Sequence, residues 1–180
     1  MSVMPVDNML TRADLDALPD DGLRHELIDG AFVMTPAPNL HHQDMSGGLH
    51  LALRSALRGT DLKVLYAPFD VVLGPHVVEP DLLVARTADF NDRDLPVAPL
   101  LVVEIRSPST AWLDEGRKRT IYEEAGVASY WLVDPGIPAI TILELIDGHY
   151  VDVARIVGDQ SFSVTKPVPV TLNPAELLRG

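Results

Sequence analysis

Residues 100–106 read Leu-Leu-Val-Val-Glu-Ile-Arg, and this segment limits the fold more than any other part of the chain. A nearly continuous apolar run of that length suits a strand buried on both faces, which requires further layers packed on either side. Alternation along a strand puts Leu100, Val102, Glu104 and Arg106 on one face and Leu101, Val103 and Ile105 on the other. One acid therefore lies within a buried strand. Ionised, it costs several kcal/mol unless it is paired or bound to a cation. Two readings stay open. Glu104 forms a structural ion pair with Arg106 or Lys118, or it joins a second strand-borne acid in holding a hard divalent cation.

The rest of the chain supplies the layers that this strand needs. Thr11–Leu18 reads as a short helix with Thr11 as N-cap, Asp14 in its first turn and Pro19 beyond it. Asp29-Gly30 lies between the apolar runs 25–28 and 31–34, a strong hairpin signal, and Pro36 and Pro38 end that hairpin. Asn39 can cap a helix reaching about Leu57, with Leu49, Leu53 and Leu57 on one face. Short β-rich runs follow at 63–67, 69–73 and 81–85. Pro108 stops the central strand, and Ser109 or Thr110 can cap a helix from about Ala111 to Ala125, with Gly126 just beyond it. Tyr130–Val133 is a further buried strand, and Asp147-Gly148 marks a second hairpin between 141–145 and 150–156. No repeat or linker divides the 180 residues, so a single domain spanning 1–180 is expected. The expected class is α/β (α+β-like): a mixed sheet flanked by helices, with an N-terminal and a C-terminal hairpin.

Other acids stand in comparable places. Asp81 follows Pro80 and opens the apolar run Leu82-Leu83-Val84. Alone, a Pro-Asp at a strand start is usually structural. Glu26 lies within the first hairpin, where the plain reading is a solvated strand residue. Asp114, Lys118 and Tyr122 recur every four residues and share a helix face. This is either a surface ion pair worth about 0.3 kcal/mol or a face that points Lys118 back at the carboxylates. Of the six histidines, His41 and His42 begin the second helix without a partner at metal-ligand spacing, and His42 is a candidate for lining or capping a site.

Composition sets outer limits. The chain is 47% hydrophobic, as expected of a folded globule. It has no cysteine, so disulfides and thiolate metal sites are excluded and a reducing, cytoplasmic setting is expected. No signal peptide or membrane-length apolar stretch is evident. The formal charge of -12, from 26 acidic and 14 basic residues, opposes broad electrostatic attraction to nucleic acid.

The strings HELIDGAFVMTPAPNLHHQ, EPDLLVA and LLVVEIRSPSTAWLDEGRKRTIYEEAGVASYWLVDP resemble the small bacterial proteins called putative restriction endonucleases, within the PD-(D/E)xK nuclease superfamily. The likeness runs from about Leu10 to Leu178. It implies that Asp81 and Glu104 ligate Mg2+, with Mn2+ as a substitute, and that Glu26 completes the metal site or orients water. Lys118 matches a helix lysine that replaces the strand lysine of the superfamily motif, whose position is Arg106 here. Arginine stabilises charge but does not readily act as the deprotonated partner of a water. The activity implied is metal-dependent hydrolysis of DNA, by a homodimer. The net charge makes any DNA binding weak and salt-dependent, resting on a local stripe such as Arg54, Arg58, Arg106, Arg117 and Arg119. The alternatives are a nuclease-fold binding or scaffold protein and a hydrolase of a small phosphodiester.

Overall fold

A computed structural model describes residues 9–19, 22–35, 37–107 and 113–179 of the chain. The first element, α1 (Arg12–Asp16), is capped as its sequence suggests, with the Thr11 backbone N–H and hydroxyl both donating to Asp14 Oδ2 at 2.7 Å. Strands β1 (Arg24–Ile28) and β2 (Ala31–Thr35) form the N-terminal hairpin. Asp29 and Gly30 both take positive φ, 52° and 71°, as the tight turn matching strand twist demands. Helix α2 (Leu40–Ala56) starts at Asn39, whose side chain accepts from the His42 N–H at 3.0 Å.

The middle of the chain holds β3 (Leu62–Tyr66), β4 (Asp70–Leu73), β5 (His76–Val78), β6 (Leu82–Arg86), β7 (Asp94–Leu95) and β8 (Leu101–Ile105). A π-helical turn, Asp114–Lys118, leads into α3 (Arg119–Ala125), which Gly126 closes in the left-handed conformation at φ 81°. The caps expected at Ser109 and Thr110, the stops at Pro36 and Pro108, and the helix start at Ala111 lie outside the described residues, as does the Asp114 side chain. Then come β9 (Ser129–Asp134), β10 (Ala139–Ile146), β11 (His149–Val157), β12 (Phe162–Val164), β13 (Val170–Leu172) and α4 (Pro174–Leu177).

The strands form two main sheets and a ribbon. Their orders are β2-β1-β5-β4-β7, β11-β10-β9-β8-β6-β3 and β12-β13. The larger sheet is mixed: β8 and β9 run parallel, while β6 pairs antiparallel with both β3 and β8. Alternation along β8 sorts its side chains as expected. Leu101, Val103 and Ile105 pack with Met45, Leu49 and Leu53 of α2. Val102 packs on the other face, with Val71 and Val78 of the smaller sheet and Ile121 and Tyr122 of α3.

This register positions the acids. Leu83 pairs with Val102 and Leu82 with Val103, so one further step brings Asp81 opposite Glu104 at the ends of adjacent strands.

Candidate active site

Three strands and one helix each deliver a charged side chain to a common place. Lys118, at the end of the π-helical turn, extends its Nζ to 2.7 Å from Glu104 Oε1 and 2.9 Å from Glu26 Oε1. The lysine side chain is 1% exposed, so the surface-pair reading of the Lys118 face does not hold. The solvated reading of Glu26 fails for the same reason: on β1, between β2 and β5 of the smaller sheet, Glu26 is fully buried. One turn after Lys118, the buried Tyr122 hydroxyl donates to Glu104 Oε1 at 2.7 Å, and the Glu79 N–H donates to Glu26 Oε1 at 2.7 Å. Burial, followed by the charges of Glu104 and Glu26, pushes the Tyr122 phenol well above its usual range, so it stays a donor.

Asp81 has a separate set of partners. Its Oδ2 accepts from the Ile105 N–H at 2.7 Å and lies 3.2 Å from His42 Nε2, and its Oδ1 accepts from Arg24 Nη1 at 3.1 Å. Burial opposes ionisation, but the His42 contact, Arg24 and the Ile105 amide outweigh it and hold the carboxyl below the ordinary range. Arg24 feels the opposite balance: desolvation opposes its charge, and Asp81, Glu26 and Glu104 raise its pKa regardless. Glu79 behaves differently. Burial, reinforced by Asp70 and Glu26 against the pull of Arg24 and Lys118, pushes its carboxyl up to about 7.

These groups meet at an open pocket of about 610 Å³ whose lining includes Arg24, His42, Glu79, Asp81, Glu104 and Lys118. Four of the residues singled out from sequence, Glu26, Asp81, Glu104 and Lys118, are thus gathered at this pocket or directly behind it. Arg106 is not among them. Its N–H donates to Val133 O at 2.7 Å just beyond the last paired residue of β8, and its half-exposed side chain turns to Glu115 at 3.3 Å and Asp134 at 3.4 Å. It lines a different pocket. His41 is exposed.

Sequence reading missed Arg24 and Glu79. Arg24 carried a usable signal, since it stands two residues before Glu26 in one strand, a spacing that repeats a strand face and sets an opposite charge beside the acid. Glu79 carried none: it lies between β5 and β6, and as an acid two residues from Asp81 it offers no pairing.

The donor set is entirely carboxylate, which suits a hard divalent cation. Among the described residues, Glu26 Oε2 and Glu79 Oε2 are buried without a hydrogen-bond partner, so acceptor capacity is in excess there. Arg24 and His42 stand against Asp81, and Lys118 stands against both Glu26 and Glu104, among the described residues. As placed, however, no three His, Asp or Glu side chains among the described residues stand together closely enough to hold an ion. Glu26 is turned to Lys118 and the Glu79 amide, and Asp81 to Arg24 and His42. Asp81 and Glu104 both line the pocket, and Glu26 does not.

Residues 12–176 match the Uma2 family, described as putative restriction endonuclease. Among solved structures, a putative nuclease belonging to DUF820 from Anabaena variabilis is similar over 94% of this chain and 98% of its own, with a TM-score of 0.74 and 18% identity. At that identity the likeness is one of fold. No curated protein matches the sequence. No helix among the described residues is long and apolar enough to cross a membrane.

Proposed function

From the premise that this chain belongs to the Uma2 family of putative restriction endonucleases, we propose that it hydrolyses DNA phosphodiester bonds at the Asp81–Glu104 pocket with the help of a divalent cation. Family and fold support a nuclease. The observation that carries the finer reading is the burial of Lys118 between two strand carboxylates at the pocket floor. A structural ion pair needs one acid for one base. Here one buried lysine touches two acids, and the register sets Asp81 opposite Glu104 at the end of the sheet.

Asp81 and Glu104 would hold the cation, Mg2+ or Mn2+, which on binding polarises the phosphoryl oxygens and lowers the pKa of a bound water. Lys118, fixed by Glu26 and Glu104, presents a positive charge where negative charge grows on the phosphorus oxygens. Tyr122 keeps Glu104 oriented. His42 and Arg24 keep Asp81 ionised and aimed along the strand ends. Arg106, turned to Glu115 and Asp134, takes no part. Cutting both strands of a duplex is easiest with two copies of the chain, one site per strand, and the absence of cysteine is in keeping with a reducing cytoplasm.

The net charge of -12 favours a second reading, a binding or scaffold protein in which the buried cluster only stabilises the fold. Incubating the protein with supercoiled plasmid and oligonucleotides in Mg2+ or Mn2+ separates the two. Nicking by the wild type that a chelator stops, and that falls by about 100-fold or more in Asp81→Asn, supports the nuclease. Intact DNA throughout supports the scaffold.

A further inference from the structure

We infer, resting on the nuclease reading, that the pocket takes DNA as a single strand, guided along α2 and held by a base stacked on Tyr66. The first observation is the α2 face that borders the pocket. His42, Ser46, His50 and Arg54 follow one another at four-residue intervals, beside the buried row Met45, Leu49 and Leu53. At about 1.5 Å of rise per residue this stripe is about 18 Å long. Its first member lies 3.2 Å from Asp81, Ser46 lines the pocket, and Arg54 is exposed at the far end.

The second observation is Tyr66. It ends β3, pairs with Leu82, and is followed by Ala67, whose N–H donates to the Asp81 carbonyl at 3.0 Å. The tyrosine is therefore anchored next to the carboxylate it would serve. It lines the same pocket yet is 58% exposed, and its ring meets His50 edge-on, with centroids 4.9 Å apart and planes at 78°. Burial, then the Arg54 charge, holds the His50 imidazole below its usual range, so it serves Tyr66 as a neutral ring partner. A lone exposed aromatic needs no explanation. One braced by a second ring, at the mouth of a charged pocket and beside a polar helix stripe, has the makings of a single-strand platform, in which bases stack on aromatics while cations follow the backbone.

Electrostatics favour one strand over two. A duplex brings one negative charge per about 1.7 Å of axis and a single strand about half that density. A chain of charge -12 is repelled far less by the single strand. In a duplex the base faces are also stacked on each other and closed to Tyr66. The pocket, at about 610 Å³, is of a size that encloses a small ligand rather than a helix.

The test uses a 12-residue oligodeoxynucleotide containing 2-aminopurine, alone or annealed to its complement, with Ca2+ replacing Mg2+ so that binding is read without cleavage. The single strand should bind more tightly than the duplex and its fluorescence should be quenched. Tyr66→Ala should weaken that binding by about 5- to 150-fold, Tyr66→Phe should retain it, and an unchanged melting temperature in both variants would show that the fold is intact. Equal or tighter binding of the duplex, or single-strand binding indifferent to Tyr66→Ala, overturns the inference. Cleavage is scored separately in Mn2+. Tyr66-dependent binding without any cleavage upholds the single-strand platform and sinks the hydrolytic reading, whereas duplex cleavage untouched by Tyr66→Ala does the opposite.

Discussion

Lys118 is the residue on which most of the site's energetics turn. Its side chain is 1% exposed and touches two buried carboxylates, so neutralising it leaves Glu26 and Glu104 facing each other out of water. Breaking a buried pair in this way costs about 3–5 kcal/mol, and each kcal/mol is worth about 2–4 °C in a domain of this size. Lys118→Met should therefore melt on the order of 10 °C below wild type at pH 8. A divalent ion should restore part of the loss, since a cation at ten times its Kd adds about 1.4 kcal/mol. Calorimetry with and without Mn2+ checks both. Glu79 gives a titration of its own. Its folded pKa of about 7 lies above the ordinary 4.5, so its contribution is fully present below pH 4.5 and is lost as pH rises through 7. In chelator, Glu79→Gln should gain about 1–2 kcal/mol over wild type at pH 8, with the gain fading near pH 4.5. Denaturant melts showing a constant difference across that range would contradict the raised pKa.

At the scale of elements, α2 matters twice, because its buried row anchors the large sheet and its first turn delivers His42 to Asp81. Leu49→Ala should cost about 2–5 kcal/mol and, in the fraction that stays folded, slow any cleavage by loosening His42. Urea unfolding and a rate measured at low temperature check these separately. Helix α4 explains the glycine at position 48: a Cβ there would lie 2.7 Å from the Leu177 carbonyl oxygen, so α2 and α4 cross where only hydrogen fits. Elements with strong local signals were legible from sequence. Thr11, Asn39, the two Asp-Gly turns and the alternation of β8 each carry their cause within a few residues. The elements that escaped, β5, β7, β12, β13 and α4, are two to four residues long and owe their form to partners distant in sequence. The site divides in the same way. Glu104 within an apolar strand was visible as a physical problem, whereas Arg106 could not be placed, because its direction is set by Glu115 and Asp134 beyond the strand's end.

At the scale of the molecule, two sheets of different size share one filled layer, and the charged pocket lies at the end of the larger sheet, where β6 and β8 end beside the first turn of α2. The surrounding charge is -12, so affinity for DNA must come from a few cations close to the pocket. Three phosphate contacts on a single strand would give a binding constant falling by about 20-fold between 50 and 200 mM salt. Fluorescence titrations along that series test this, and nanomolar binding at physiological salt would contradict it. The central claim is narrower: strand carboxylates and a helix lysine form one hydrolytic centre, from which the arginine at the strand end is excluded. It is tested most directly by the single-turnover rate of DNA cleavage in Mn2+ for Lys118→Met and Arg106→Met, measured well below both melting transitions. The account predicts a loss of about 100-fold or more for Lys118→Met and a rate within about 3-fold of wild type for Arg106→Met, an exposed change outside the pocket. A slow Arg106→Met beside an active Lys118→Met would contradict it.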